Sequence, residues 1–155
     1  MNTDKAVLDR LAEQVVRCVL TVSNTLGIGF LEKVYENALA HRLSKAGLMV
    51  KQQHPINVFD EDGTLIGEYL ADLLIEDSLI VELKTAKALA PEHEAQVLGY
   101  LKSSRLEDDL LINFGSYRFQ IRKYVLSQGK AMEESLGRLA AMVSVLFAFF
   151  AFSRG

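Results

Sequence analysis

The sequence predicts an α/β domain with helices packed on a mixed sheet. Three observations carry this. Apolar residues recur at three- and four-residue steps over 4–26, the spacing of one helical stripe. After Gly47 the pattern changes to strand-like runs, punctuated by the turn segments Asp60-Glu61-Asp62-Gly63 and Glu76-Asp77-Ser78. A helical segment then separates the first three of these runs from the last two, giving the order helix, helix, three strands, helix, two strands.

In the first helix the stripe is Val7, Leu8, Leu11, Val15, Val19, Val22 and Leu26, with Thr3 or Asp4 as the N-cap. Leu26-Gly27-Ile28-Gly29 breaks it. A second helix is expected over 30–46, ended by Gly47 as a C-cap glycine. Strands are expected over 49–59, 65–75 and 79–85. Pro91, suited to a first helical position, opens a helix over 91–104. Strands at 110–114 and 117–126 follow, joined around Gly115-Ser116. Beyond them 139–152 is nearly all apolar and includes Phe147, Phe149, Phe150 and Phe152. This run is shorter than the roughly 20 residues that span a bilayer. Being apolar all round, it is expected to be helical and buried, on the domain or on a partner subunit, ahead of any membrane. The expected division is a domain over 1–127 and an apolar tail over 128–155, through which a homodimer could form.

The composition is globular: 155 residues, half of them hydrophobic and 24% charged. A net charge of −3 argues against a protein that coats nucleic acid by bulk positive charge. It leaves room for an enzyme that grips a few phosphates locally, where metal ions supply the positive charge. Cys18 is the only cysteine, so no internal disulfide forms, and His41, His54 and His93 lie far apart, without zinc spacing. The first ten residues are charged throughout and lack the apolar core of a secretory leader. The expected compartment is the cytoplasm.

The chemistry concentrates between Glu68 and Lys84. A three-residue turn between Ile75 and Leu79 would pair Leu74 with Ile80 and Asp72 with Glu82. Lys84, two residues on from Glu82, would project from the same face, and Leu73, Ile75, Leu79, Val81 and Leu83 would form the core face. Two opposed carboxylates repel unless something neutralises them, and a hard divalent cation does this well. The plainer reading is a solvated face, and a one-residue slip would turn Asp72 away from Glu82. On neighbouring helices, Glu32 and Tyr35 lie one turn apart after the glycines, and His93, Gln96 and Tyr100 form a polar stripe. Their plainer readings are a helix-dipole carboxylate with a half-buried tyrosine, and a solvated helix face.

Gly29-Phe-Leu-Glu32-Lys-Val-Tyr35 reads as GxxExxY, and Ala71-Asp72 followed by Glu82-Leu-Lys84 reads as the PD-(D/E)xK signature. Gln96-Val-Leu-Gly-Tyr100 resembles the QxxxY element of RecB-type nuclease domains, and Leu111-Ile-Asn-Phe-Gly115 completes the set. Together they resemble the bacterial GxxExxY proteins, a branch of the PD-(D/E)xK nuclease superfamily, over roughly 4–126. The resemblance implies a nuclease-like αβββαβ core with a mixed central sheet flanked by helices, here with an extra N-terminal helix and a C-terminal apolar tail helix. It implies metal binding by Asp72 and Glu82, a catalytic Lys84, Glu32 as a helical carboxylate at the metal, and support from Gln96 and Tyr100. Ala71 departs from the proline of the motif name; the metal ligand beside it is intact.

Two functions follow as expectations. One is a nuclease using Mg²⁺ or Mn²⁺ to hydrolyse phosphodiester bonds in DNA or RNA, with Arg118, Arg122, Lys123, Lys87 and Lys102 as candidate phosphate contacts. Arg118 and Arg122 would share a face of the last strand, whose plainer reading is a solvated edge. The other is a nuclease-fold binding or accessory protein that does no catalysis.

Overall fold

A computed structural model describes the backbone of residues 5–127 and 130–153 and, within the last helix, the side chains at 139–145 and 148. Thr3, Asp4 and the side chains of Phe147, Phe149, Phe150 and Phe152 lie outside the described residues. The described elements are α1 (Lys5–Leu26), α2 (Glu32–Lys45), β1 (Val50–Phe59), β2 (Leu65–Ile75), β3 (Leu79–Lys84), α3 (Pro91–Ser104), β4 (Asp108–Asn113), β5 (Gln120–Ser127), β6 (Lys130–Glu134) and α4 (Arg138–Ser153). The six strands form one mixed sheet in the order β1-β2-β3-β4-β5-β6. Only β3 and β4 pair in parallel; α3 makes the crossover that a parallel pair requires.

The alternation of β2 and β3 fixes where the helices sit. Leu73, Ile75, Leu79, Val81 and Leu83, the predicted core face, are fully buried together with Leu110 and Ile112 of β4. Leu11, Val15, Val19 and Val22 of α1 and Leu39 and Leu43 of α2 cover this face. Val7, counted in the predicted stripe, is 43% exposed, while Ala12 and Val16 are buried, so the stripe is centred slightly further round the helix. On the opposite face Val97 and Leu101 of α3 pack on Leu111 and Tyr124.

Three boundaries differ from the sequence reading. The second helix starts at Glu32 rather than at residue 30, because Gly27 and Gly29 take positive φ and Leu31 is still extended. The fifth strand starts at Gln120, so Arg118 lies in the preceding bend and does not share a strand face with Arg122. A sixth strand, not foreseen, pairs with β5 from Lys123↔Glu134 to Ser127↔Lys130, so the sheet continues past position 127. After it Leu139 of α4 is buried in the main core, with Met142 and Val143 packed against it. No helix among the described residues is long and apolar enough to cross a membrane.

Strand β6 also settles the place of Lys123. Its ammonium is buried among Asp9 of α1 (2.9 Å), Asp108 of β4 (3.2 Å) and Glu134 of β6 (3.0 Å). Lys5 adds a second cation on Glu134 at 2.7 Å. The expected phosphate contact at Lys123 is therefore corrected: this lysine is consumed in tying α1 to three strands. Its three carboxylates hold the ammonium charged against the opposing effect of burial.

Lys123→Ala should strand Asp108 without its cation. Because Asp9 and Glu134 keep partial access to water, the expected loss is about 3 kcal/mol, read as a lower urea midpoint at unchanged m-value. Gly115→Ala should also destabilise the chain. A Cβ there would fall on the Ala86 carbonyl oxygen and within 2.7 Å of the Ala86 nitrogen, so the loop after β3 would have to move. A melting temperature equal to that of the wild type would contradict this packing.

Candidate active site

The turn between β2 and β3 is closed by Glu76 and Asp77, both at φ 52, and by Ser78. It sets the pairs Ile75↔Leu79, Leu74↔Ile80 and Leu73↔Val81, the register that the sequence predicts. There the ladder stops. At the next position side chains replace the backbone pairing: Asp72 N donates to Glu82 Oε1 at 3.0 Å, and Leu83 N donates to Asp72 Oδ2 at 2.8 Å. On the other side, β1 pairs through Gln52↔Leu73 and His54↔Ala71 and skips Asp72 as well. Opposite it stands Gln53, held at φ 52, where a residue with a side chain is strained. Asp72 therefore lies in a gap between two strands, with Glu82 across it.

Helix α3 supplies the neutral groups that hold the cation of β3, Lys84. Lys84 Nζ donates to Gln96 Oε1 at 2.8 Å, and Gln96 Nε2 donates to Tyr100 OH at 2.7 Å, a relay made possible by the four-residue spacing. The Tyr100 ring rests on Tyr69 of β2 with centroids 5.2 Å apart. Burial, then the nearby Glu82, holds the Tyr100 hydroxyl far above its ordinary range, so it stays protonated. His93 does something else: its Nδ1 accepts the Ala90 N–H at 3.0 Å, capping α3 behind Pro91. That bond fixes the ring at the start of α3, one end of the predicted polar stripe.

Helix α2 presents two different faces. Glu32 is half-buried near Asp72 and Lys84, whose charges it feels. One turn on, Glu36 is 3% exposed and binds Lys33 Nζ (2.6 Å), Gln52 Nε2 (2.7 Å) and Gln53 Nε2 (2.5 Å). Gln53 Nε2 also donates to Asp72 Oδ1 at 3.2 Å, linking the helix to the gap. Sequence reasoning missed Glu36; its i, i+4 spacing from Glu32 was the available signal. Tyr35 points away from the carboxylates. It is fully buried, stacked on Phe114 at 4.7 Å and 8°, and its hydroxyl donates to the Gly27 carbonyl at 2.6 Å. It pins the loop that starts α2, and it is fully buried where the plainer reading has it half-buried.

The acids outnumber their counter-charges. Burial is the first cause that raises Glu32, Asp72 and Glu82 above the ordinary carboxylate range, and neighbouring carboxylates are a further cause in each. Glu82 is pushed up to about 9, by burial and then by Asp72, against the pull of Lys84. Beneath the site on β4, Asp109 is fully buried and neither carboxylate oxygen has a hydrogen-bond partner. Burial, then Glu82 and Asp72, holds it well above its ordinary value, which favours its neutral form. Sequence reasoning missed this residue too.

The loop after β3 is clamped from β4 and β5. Asn113, paired with Lys84, donates to the Ala86 carbonyl (2.8 Å) and to Gln120 Oε1 (3.0 Å), and its Oδ1 accepts the Ala86 N–H (3.0 Å). Arg122 shares the face of Glu82 through Glu82↔Leu111↔Arg122, two strands away, or about 10 Å. Among the described residues no three His, Cys, Asp or Glu side chains form a metal-holding cluster, so Glu32 does not join Asp72 and Glu82 in a closed cage. What remains is an oxygen-only donor pair whose carboxyls are held above their ordinary range, first by burial and then by neighbouring acids. That suits a hard cation held by one or two carboxylates with water completing the shell.

The profile of the PD-(D/E)XK nuclease superfamily matches residues 9–124, which include Glu32, Glu36, Asp72, Glu82 and Asp109 together with Lys84, Gln96 and Tyr100. None of the curated proteins matches the chain. Among solved structures, the chain is similar to an alkaline exonuclease, LHK-Exo, from Laribacter hongkongensis, at 15% identity and a TM-score of 0.44. The match covers 97% of this chain and 81% of that one. With three quarters of its length inside the family profile, and a mixed sheet carrying helices on both faces, the chain belongs to the PD-(D/E)XK nuclease superfamily.

Proposed function

We propose that the protein is a metal-dependent nuclease that hydrolyses phosphodiester bonds in nucleic acid. The observation that supports it is the meeting of Asp72, Glu82 and Lys84 where the β2–β3 ladder stops, with more acids there than lysines to oppose them. Asp72 and Glu82 would hold Mg²⁺ or Mn²⁺, with the Leu83 carbonyl and, through water, Glu32. Such an ion, when bound, lowers the pKa of its water and offsets phosphate charge.

The other groups act by position. Asp72 is oriented from two sides, by the Leu83 N–H and by Gln53, which Glu36 holds in turn. The ammonium of Lys84 has three donors and uses one on Gln96. The remaining two are available to a phosphate oxygen, where charge builds during attack, or to the attacking water. Gln96 is itself fixed by Tyr100, so Lys84 is aimed by a half-buried chain of hydrogen bonds. Arg122 is a candidate for a phosphate next to the scissile one, and Arg118 for a more distant contact.

The purified protein with Mn²⁺ or Mg²⁺ should nick or degrade at least one member of a panel of DNA and RNA substrates. Lys84→Ala should lower the rate at least about a hundredfold while leaving the fold intact, read as an unchanged far-ultraviolet circular dichroism spectrum. Absence of both cleavage and cation binding by calorimetry would instead favour a nuclease-fold binding protein without catalysis.

The electrostatics give a second test. Glu82 is raised above its unfolded value, so its neutral form favours folding. The stability that this form contributes is present below about 4.5 and lost as the pH rises through about 9. The metal-free protein should therefore lose stability across that window. Glu82→Gln should melt higher than the wild type at alkaline pH and show a flatter slope. Added Mn²⁺ should restore the wild type more as the pH rises, since cation and proton compete for the same oxygens. A metal-free melting temperature identical in both proteins from pH 5 to about 9 would refute this account of Glu82.

A further inference from the structure

The exposed large hydrophobic side chains are unevenly placed. Ile28, Phe30 and Leu31 are 50%, 47% and 78% exposed, on the loop that runs straight into Glu32. Phe59, Leu65, Ile66 and Leu70 are between 49% and 62% exposed, on the β1–β2 hairpin whose second strand runs straight into Asp72. Each cluster thus immediately precedes one carboxylate of the proposed site.

Topology brings the two clusters to one end of the sheet. Asp72 faces Glu82 and β3 ends at Lys84, so Leu70 stands level with that end and 65–69 overhang it, paired only with β1. At about 3.4 Å per residue that overhang is roughly 17 Å long. The 27–31 loop is anchored to the same end, because Tyr35 holds the Gly27 carbonyl and stacks on Phe114, the residue after the Lys84 partner Asn113. Sides match as well. Tyr69 turns its ring onto Tyr100 of α3, so Ile66 and Leu70 face away from α3, toward the side of the sheet that carries α1, α2 and their connecting loop.

The charges around these lips do not favour a duplex. Asp60, Glu61, Asp62 and Glu68 are exposed on the hairpin, and the nearest exposed cation of α2, Lys33, is bound to Glu36. A duplex carries one phosphate per about 1.7 Å of axis and would press its second strand against those acids. An unpaired strand offers apolar base faces instead, which exposed aliphatic and aromatic side chains can receive. We propose that Ile28, Phe30 and Leu31 on one side, with Ile66 and Leu70 on the other, receive the unpaired bases of a single-stranded nucleic acid bound at the Asp72–Glu82 site. This rests on the nuclease reading for the identity of the ligand class.

The test compares labelled single-stranded and duplex oligonucleotides of one sequence, as DNA and as RNA, by fluorescence anisotropy with the full chain in EDTA. Cleavage of the same molecules with Mn²⁺ is followed in parallel. The single strand should bind at least about tenfold tighter than the duplex. Leu31→Ser with Leu70→Ser should remove about that factor for the single strand, leaving the duplex, the salt slope and the melting temperature unchanged. Equal binding of both forms, or no effect of the double substitution, overturns the inference. So does a loss of self-association in gel filtration as its sole effect, which would make a second copy the occupant of the lips. If single strands bind through the lips and nothing is cut, the inference stands and the catalytic reading falls. If duplex and single strand are cut equally, the catalytic reading stands and the inference falls.

Discussion

Burying several carboxylates in one gap of a sheet, with a single lysine to oppose them, is the constraint around which the rest of the chain is arranged. Repulsion between opposed acids would open the β2–β3 pair, and the ladder does end at Leu73↔Val81. What keeps the strands in place beyond that point is the use of carboxylate oxygens as substitutes for backbone acceptors, Glu82 for the Asp72 N–H and Asp72 for the Leu83 N–H. The substitution satisfies two amides that would otherwise be left without partners, and it fixes the carboxylates by the same bonds. Burial, and then the mutual repulsion of these acids, raises Glu82 and Asp109 above their ordinary range, which favours their protonated forms.

Helix α2 illustrates how one element serves the core and the site at once. Tyr35 and Glu36 are adjacent and both buried, yet they face different surroundings. Tyr35 stacks on Phe114 and closes the Gly27 loop, so the start of the helix is fixed against β4. Glu36 gathers Lys33, Gln52 and Gln53, so the same helix is fixed against the edge strand β1. With both anchors in place, Glu32 has little freedom in its distance from Asp72. The strained φ of Gln53 belongs to this arrangement: a regular pair with Asp72 would put its amide into the ladder, whereas the kink lets it reach Glu36 and Asp72 together.

Short-range periodicity made much of this legible. The register of β2 on β3 follows from a three-residue turn and a two-residue side-chain period, so Asp72, Glu82, Lys84 and the apolar opposite face could be assigned before any coordinates. Gln96 and Tyr100 were legible for the same reason, four residues apart on one helix. Features that depend on what another element brings were not. His93 reads as one more member of a polar stripe until the Ala90 N–H claims its ring. Tyr35 reads as half-buried because its partner Phe114 is distant in sequence. Strand β6 has few apolar residues and no alternation of its own; it is specified by β5 beside it and by Lys123, which needs Glu134.

Asp108 and Asp109 show how finely the sheet separates two like residues. They are neighbours on β4 and point to opposite faces, and burial raises both. On the α1 side Asp108 meets Lys123, whose charge offsets part of that effect and makes the acid one corner of the network joining α1, β5 and β6. On the α3 side Asp109 has no ion-pair partner among the described residues and stands in the field of Glu82, Asp72 and its neighbour Asp108. An ionised Asp109 would deepen the repulsion that already strains the gap, so the uncharged form is the one compatible with the two carboxylates above it. A chain of net charge −3 can therefore concentrate acids at one site because the sheet gives each buried acid either a lysine or a proton, according to the face on which it stands.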